Sequence, residues 1–227
     1  MKTTLLTLML WLLLGATAQT SNPLRDSLRI ASESLSYYPD SVDLRLRRAS
    51  WYVQLEEWQS AKNDYDIVLR HNPANIAALY YRAYVNDRLG RYKFSRLDYQ
   101  NLLTLVPGNY EASLGLALLN EKDKHYTEAI DGINQLVDAY PDSAVVWAAR
   151  AGIENERGML ELAEYDYGKA ISLEPNNNDF ILSRADIRIK LGEFQNAIED
   201  LDLLVKLGTP RAALKEWYGK ALSRKKK

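Results

Sequence analysis

Proline recurs at a fixed interval along this chain. Pro39, Pro73, Pro107, Pro141 and Pro175 stand 34 residues apart, and Pro210 falls one residue past the next expected position. Proline lacks a backbone N–H and clashes with the preceding turn, so each of these sites ends a helix. Equal breaks imply equal units: four complete ones and a fifth running on to Thr209-Pro210. A period of this size is the mark of a repeat array.

Each unit can be numbered from three residues after its proline. Position 8 is then Ala49, Ala83, Ala117, Ala151 and Ala185, and position 20 is Ala61, Ser95, Ala129, Ala163 and Ala197. Position 17 reads Trp58, Tyr92, Tyr126, Leu160 and Phe194, and position 24 reads Tyr65, Tyr99, Ile133, Tyr167 and Leu201. Position 15 is glycine in three units, at Gly90, Gly158 and Gly192. Two amphipathic helices of about 13 residues fit in each unit, with a left-handed turn where glycine relieves the backbone. Small side chains at 8 and 20 let the paired helices approach, and large ones at 17 and 24 fill the gap to the next unit. No single hairpin buries its own apolar face, so stacking must do it.

Residues 24–37 read as a lone helix before Pro39, and residues 210–224 as a capping helix with Ala212, Ala213, Leu214, Trp217, Tyr218, Ala221 and Leu222 on or near one side. The expectation is an all-α solenoid of twelve helices: 19–41 a linker and single helix, 42–209 five repeats, 210–227 the cap and a basic tail. No strand signal or interdomain linker is visible.

These residues resemble the tetratricopeptide repeat family in all five units, over about residues 42–209. The period, the small residues at 8 and 20, the aromatic at 17 and the closing proline carry the likeness. The chain departs from the family at position 4, which is Arg45 in the first unit and Ser113 in the third, and at position 7, which is arginine in four units. The resemblance implies a right-handed superhelix with the first helix of each repeat lining a concave groove. It implies a peptide-binding groove at Leu46, Ser50, Tyr80, Tyr84, Arg88, Leu114, Ala148 and Gly152. Tyr80 and Tyr84 lie one turn apart on one face, and Ala148 with Gly152 leaves room for a partner side chain. The Lys/Asn carboxylate clamp of chaperone-binding members is replaced by Leu46/Ser50 and Tyr80/Tyr84.

Two positions vary together inside the chain. Position 7 is Arg48, Arg82, Leu116, Arg150 and Arg184, and position 23 is Asp64, Asp98, Gly132, Asp166 and Asp200. Arginine and aspartate are both lost in the third unit, which predicts structural ion pairs between the two helices of the other four. The third unit also carries Gly115 and Gly132 inside helices, each costing about 1 kcal/mol relative to alanine. Its turn, Asp123-Lys124-His125, has no glycine. A weaker, more mobile middle repeat is expected.

At the start of the chain, Lys2 precedes an apolar run from Leu5 to Leu14 and then Gly15-Ala16-Thr17-Ala18. This is the pattern of a secretory signal peptide over residues 1–18, shorter than the roughly 20 residues a membrane span needs. Cleavage after Ala18 leaves Gln19 first and places the protein in the periplasm or cell envelope, or outside the cell, with no stable membrane insertion. Removing one lysine from 29 basic residues leaves 28 against 30 acidic, a net −2.

That balance argues against a nucleic-acid partner held by bulk charge. With no cysteine and only His71 and His125, thiolate metal sites, cysteine nucleophiles and most histidine chemistry lack material. Neither a phosphate-binding glycine loop nor HExxH occurs. Acid pairs such as Glu56-Glu57 and Glu154/Glu156 read as solvated helix faces. The tail Arg224–Lys227 reads as a solvated basic end. No catalytic residue, cofactor or metal is expected. The reading is a scaffold or adaptor for a protein or peptide partner. A self-assembling protein joined through its terminal helices, and a glycan- or peptidoglycan-binding accessory of an envelope enzyme, are the alternatives.

Overall fold

The computed structural model describes residues 22–224. The expected signal segment and Lys225–Lys227 lie outside them. Two compact units meet at Pro73-Ala74. The first holds α1 (Pro23–Tyr37), α2 (Val42–Gln54) and α3 (Trp58–His71). The second holds α4 (Ile76–Arg88), α5 (Tyr92–Leu105), α6 (Tyr110–Lys122), α7 (Tyr126–Ala139), α8 (Ala144–Glu156), α9 (Leu160–Leu173), α10 (Asn178–Leu191), α11 (Phe194–Lys206) and α12 (Lys215–Arg224). Among the described residues there are twelve α-helices and no strand, as the repeat spacing predicts.

Local chemistry sets the boundaries. The residue before position 1 is Ser41, Asn75, Asn109, Ser143 or Asn177, and in four of the five its side-chain oxygen accepts from a backbone N–H of the helix it precedes. These residue types are the strongest N-caps. Ser143 is the exception, its hydroxyl lying 3.1 Å from the Tyr110 hydroxyl. Between paired helices, position 15 is left-handed in every repeat: Glu56 (φ 57°), Gly90 (70°), Lys124 (62°), Gly158 (74°) and Gly192 (84°). Glycine is thus replaced twice without changing the turn, and strain is accepted at Glu56 and Lys124.

In each unit the alanines of position 8 are no more than 2% exposed, and position 20 is fully buried. Ser95, the one hydroxyl at position 20, donates to the Ala83 carbonyl at 2.7 Å. Tyr65, Tyr99, Ile133 and Leu201 of position 24 are core residues. At the C-terminal end, Arg211–Leu214 winds as a 3-10 turn before α12. Leu214, Tyr218 and Ala221 close the core against α10 and α11. Ala212, Ala213 and Leu222 are exposed, correcting the broader apolar side expected there. A 3-10 turn sets successive residues at a different angle from an α-helix, so the first residues leave the stripe.

Candidate functional site

The position-7 arginines sit on the first helix of a repeat and the position-23 aspartates on the second, 16 residues later. Arg48 Nε and Nη2 each lie 2.7 Å from Asp64, Arg82 binds Asp98 at 2.9 and 2.7 Å, Arg150 binds Asp166 at 2.5 and 3.0 Å, and Arg184 binds Asp200 at 3.0 and 2.6 Å. All four are two-pronged, and each aspartate is at most 3% exposed. The bond to Asp64 holds the Arg48 guanidinium above its ordinary pKa, and that to Asp166 does the same for Arg150. Buried, matched charges of this kind act mainly by penalising the loss of either partner.

The second layer around these aspartates was not legible from one position. Arg45 adds a bond to Asp64 at 3.2 Å while its other nitrogens hold the Pro39 carbonyl. Trp147, also at position 4, donates to the Pro141 carbonyl in the same way at 2.7 Å. At position 11, Asn86 donates to Asp98 at 3.2 Å and Arg188 to Asp200 at 2.9 Å. Position 11 of the fourth repeat is Glu154. It is 6% exposed, which corrects the solvated-face reading. Burial first, and then the Asp166 carboxylate, push its pKa up to about 7, against the opposing pull of Arg150. Position 11 also joins repeats. Arg96 bonds Asn120 at 3.0 Å and Asp123 at 2.6 Å, and Glu164 receives Arg188 at 2.9 and 2.6 Å.

Tyr80, Tyr84 and Leu114 line one cavity of about 300 Å³ in the second unit, with Tyr99, Tyr110 and Leu118. Tyr80 meets Tyr99 edge-on at 6.1 Å and Tyr81 at 5.2 Å. Burial raises the pKa of both Tyr80 and Tyr99, so their hydroxyls stay protonated. Tyr99 is placed by Gly115: a Cβ there would lie 2.6 Å from the Tyr99 ring. The Asp87–Lys122 ion pair, 2.8 Å, stands at the rim. This is an aromatic pocket with one charged edge, suited to gripping an apolar side chain while pairing with a peptide's polar groups.

The remaining groove candidates are more scattered. Gly152 opens onto a neighbouring cavity of about 600 Å³ that shares Leu118 and Lys122 with the first. Its wall is Ala149, not the expected Ala148, which does not line it. One residue is 100° around a helix, enough to turn a side chain off a face. Arg88, exposed in the last turn of α4, lines neither cavity. Leu46 and Ser50 belong to α2 of the first unit, where the Ser50 hydroxyl donates to the Arg47 carbonyl at 2.7 Å. His71 ends α3 near Asp40, and His125 lies at the start of α7 between Asp123 and Glu128. Among the described residues no cluster of three or more His, Cys, Asp or Glu could hold a metal, and no helix is long and apolar enough to cross a membrane.

Comparison with known proteins gives this geometry its context. A tetratricopeptide repeat model matches residues 46–94 and 88–144. Human sperm-associated antigen 1 is 33% identical over 104 residues, 44% of this chain, and the match spans only 11% of that protein's length. A tetratricopeptide repeat protein from Parabacteroides merdae superposes with a TM-score of 0.73 at 24% identity, over 88% of this chain and 78% of that one. YrrB, described as a repeat protein of the same type with an unusual peptide-binding site, superposes with a TM-score of 0.58 at 16% identity, over 87% of this chain and 98% of its own.

Proposed function

Because this chain belongs to the tetratricopeptide repeat family, we propose that it is a non-enzymatic adaptor of the cell envelope that binds a protein or peptide partner through the tyrosine-lined cavity between α4 and α6. The fold is that of protein–protein interaction scaffolds. The carrying observation is that Tyr80, Tyr84, Tyr99, Tyr110, Leu114 and Leu118 gather on one cavity with an ion pair at its edge. Stiff aromatic walls give large contact area at low entropic cost, which is how peptide anchors are held. The peptide-binding site of YrrB supports the reading by analogy of fold. The envelope location rests on the signal-like start of the sequence; under it, the mature protein begins at Gln19.

The test is a cross-linking pull-down from the native envelope with wild-type protein and a Tyr80→Ala/Tyr84→Ala variant of matched helicity. A protein captured by the first and lost from the second supports the assignment. Equal capture by both moves the interface away from this cavity. Fractionation with N-terminal sequencing checks the location, and an uncleaved cytosolic chain overturns it.

A further inference from the structure

The third repeat holds a further cavity whose lining shares no residue with the two described above. Leu116 and Gly132 line it, at the positions that arginine and aspartate hold in the other four repeats. With Leu116 and Gly132 in their place, about 290 Å³ stays open, walled by Leu103, Ala117, Leu136 and Ala139. Asn120, 7% exposed, also lines it, its carbonyl taken by Arg96. The volume sits at the lower bound of small-molecule sites, the size of a side chain rather than a cofactor.

The surroundings define what could enter. Helix α7 carries Glu128, Asp131 and Asp138 and no lysine or arginine. All three acids are exposed, and Glu128 reaches the cavity wall. At the positions of Glu128 and Asp131, α5 carries Phe94 and Leu97, exposed by 62% and 52%, and α9 carries Leu162 and Tyr165, exposed by 54% and 55%. At these two positions the second helices of repeats two to four therefore read apolar, acidic, apolar, with the hole beside the acidic one. An anionic ligand would be repelled by α7, and a glycan would find few donors on an aliphatic floor.

We propose that this face docks a basic amphipathic helix of a partner protein. One apolar anchor of that helix enters the Leu116/Gly132 cavity, and its lysines or arginines meet the carboxylates of α7. Its flanking apolar residues cover Phe94/Leu97 and Leu162/Tyr165. The site is independent of the tyrosine cavity.

The test uses the full chain and a fluorescein-labelled amphipathic helical peptide of leucine and lysine, with a leucine–glutamate peptide as control, read by fluorescence anisotropy. The key variant is Leu116→Arg/Gly132→Asp, which restores the pair found in the other repeats and leaves net charge unchanged. We expect it to weaken lysine-peptide binding about tenfold or more while its melting temperature holds or rises. Asp131→Asn/Asp138→Asn weakens binding and flattens its salt dependence, and Tyr80→Ala/Tyr84→Ala leaves it intact. Should the double variant misfold, Gly132→Leu fills the same space, because a Cβ at Gly132 meets Ala117 at an ordinary 3.5 Å. Undiminished binding by a folded, cavity-filled variant overturns the proposal, as does equal affinity for the glutamate peptide or no binding by wild type.

Discussion

The second and third repeats share a frame and differ in filling. Both pair helices of 13 and 14 residues across a left-handed turn, with alanine at position 8 and a small residue at position 20. In the second, Arg82, Asp98 and Asn86 form a buried polar cluster, and Ser95 ties the helices together. In the third, the cluster is gone and a cavity remains. Small contacts and apolar packing therefore suffice to set the hairpin, whereas the ion pair occupies a volume the frame leaves open. Leu116 with Gly132 is too small for that volume, and the helices do not close over it.

The sharpest break of this contrast is Asp98→Ala. It removes the buried carboxylate that Arg82 and Asn86 share, and a loss of about 3–5 kcal/mol in urea unfolding is expected. The reversed pair Arg82→Asp/Asp98→Arg should recover part of it; no recovery would refute the pairing. Next comes Gly115→Ala. Alanine favours a helix, yet its Cβ would strike the Tyr99 ring, so a net loss of about 2 kcal/mol is expected. If Gly115 were only a flexible point, the same substitution would stabilise.

Glu154 distinguishes the fourth repeat from both. Its folded pKa is raised above that of an unfolded glutamate, so the folded state favours the proton. Its contribution is most favourable at low pH and is lost as pH rises through about 7. Glu154→Gln should add on the order of 1–2 kcal/mol at about pH 8, and no gain should remain near pH 4. A pH-independent gain would exclude the buried carboxyl as its source. The smallest effect is at the turn: Lys124→Gly should stabilise by about 0.5–1 kcal/mol and Gly90→Ala destabilise by a similar amount, measured as shifts in thermal midpoint.

The helices were legible because their signals are local and repeated. A closing proline, small residues at positions 8 and 20 and, in three units, glycine at 15 recur often enough to fix register from one chain. The ion pairs were visible because both members vanish together in the third repeat. The second layer was not. Arg45, Glu154 and Arg188 occupy positions that change chemistry from repeat to repeat, so no column announces them. Gly115 read as a weak point in a helix. Its role depends on Tyr99, 16 residues earlier on another helix, where no periodicity links the two. The cavities follow from what is missing around a residue, and Ala148 shows how one step of helix rotation takes a side chain off the wall that Ala149 and Gly152 form.

The reach of the contacts has a consequence for how such a chain is made. Arginine and aspartate partners are separated by 16 residues, and the side-chain links between repeats described above by 24 to 35. None of these partners waits for a distant segment to be synthesised. A hairpin can lock its charges soon after its own residues leave the ribosome, and the apolar surface awaiting cover is never much more than one hairpin's face. Short-range topology of this kind folds quickly, and it limits the time during which a nascent chain can stick to its neighbours.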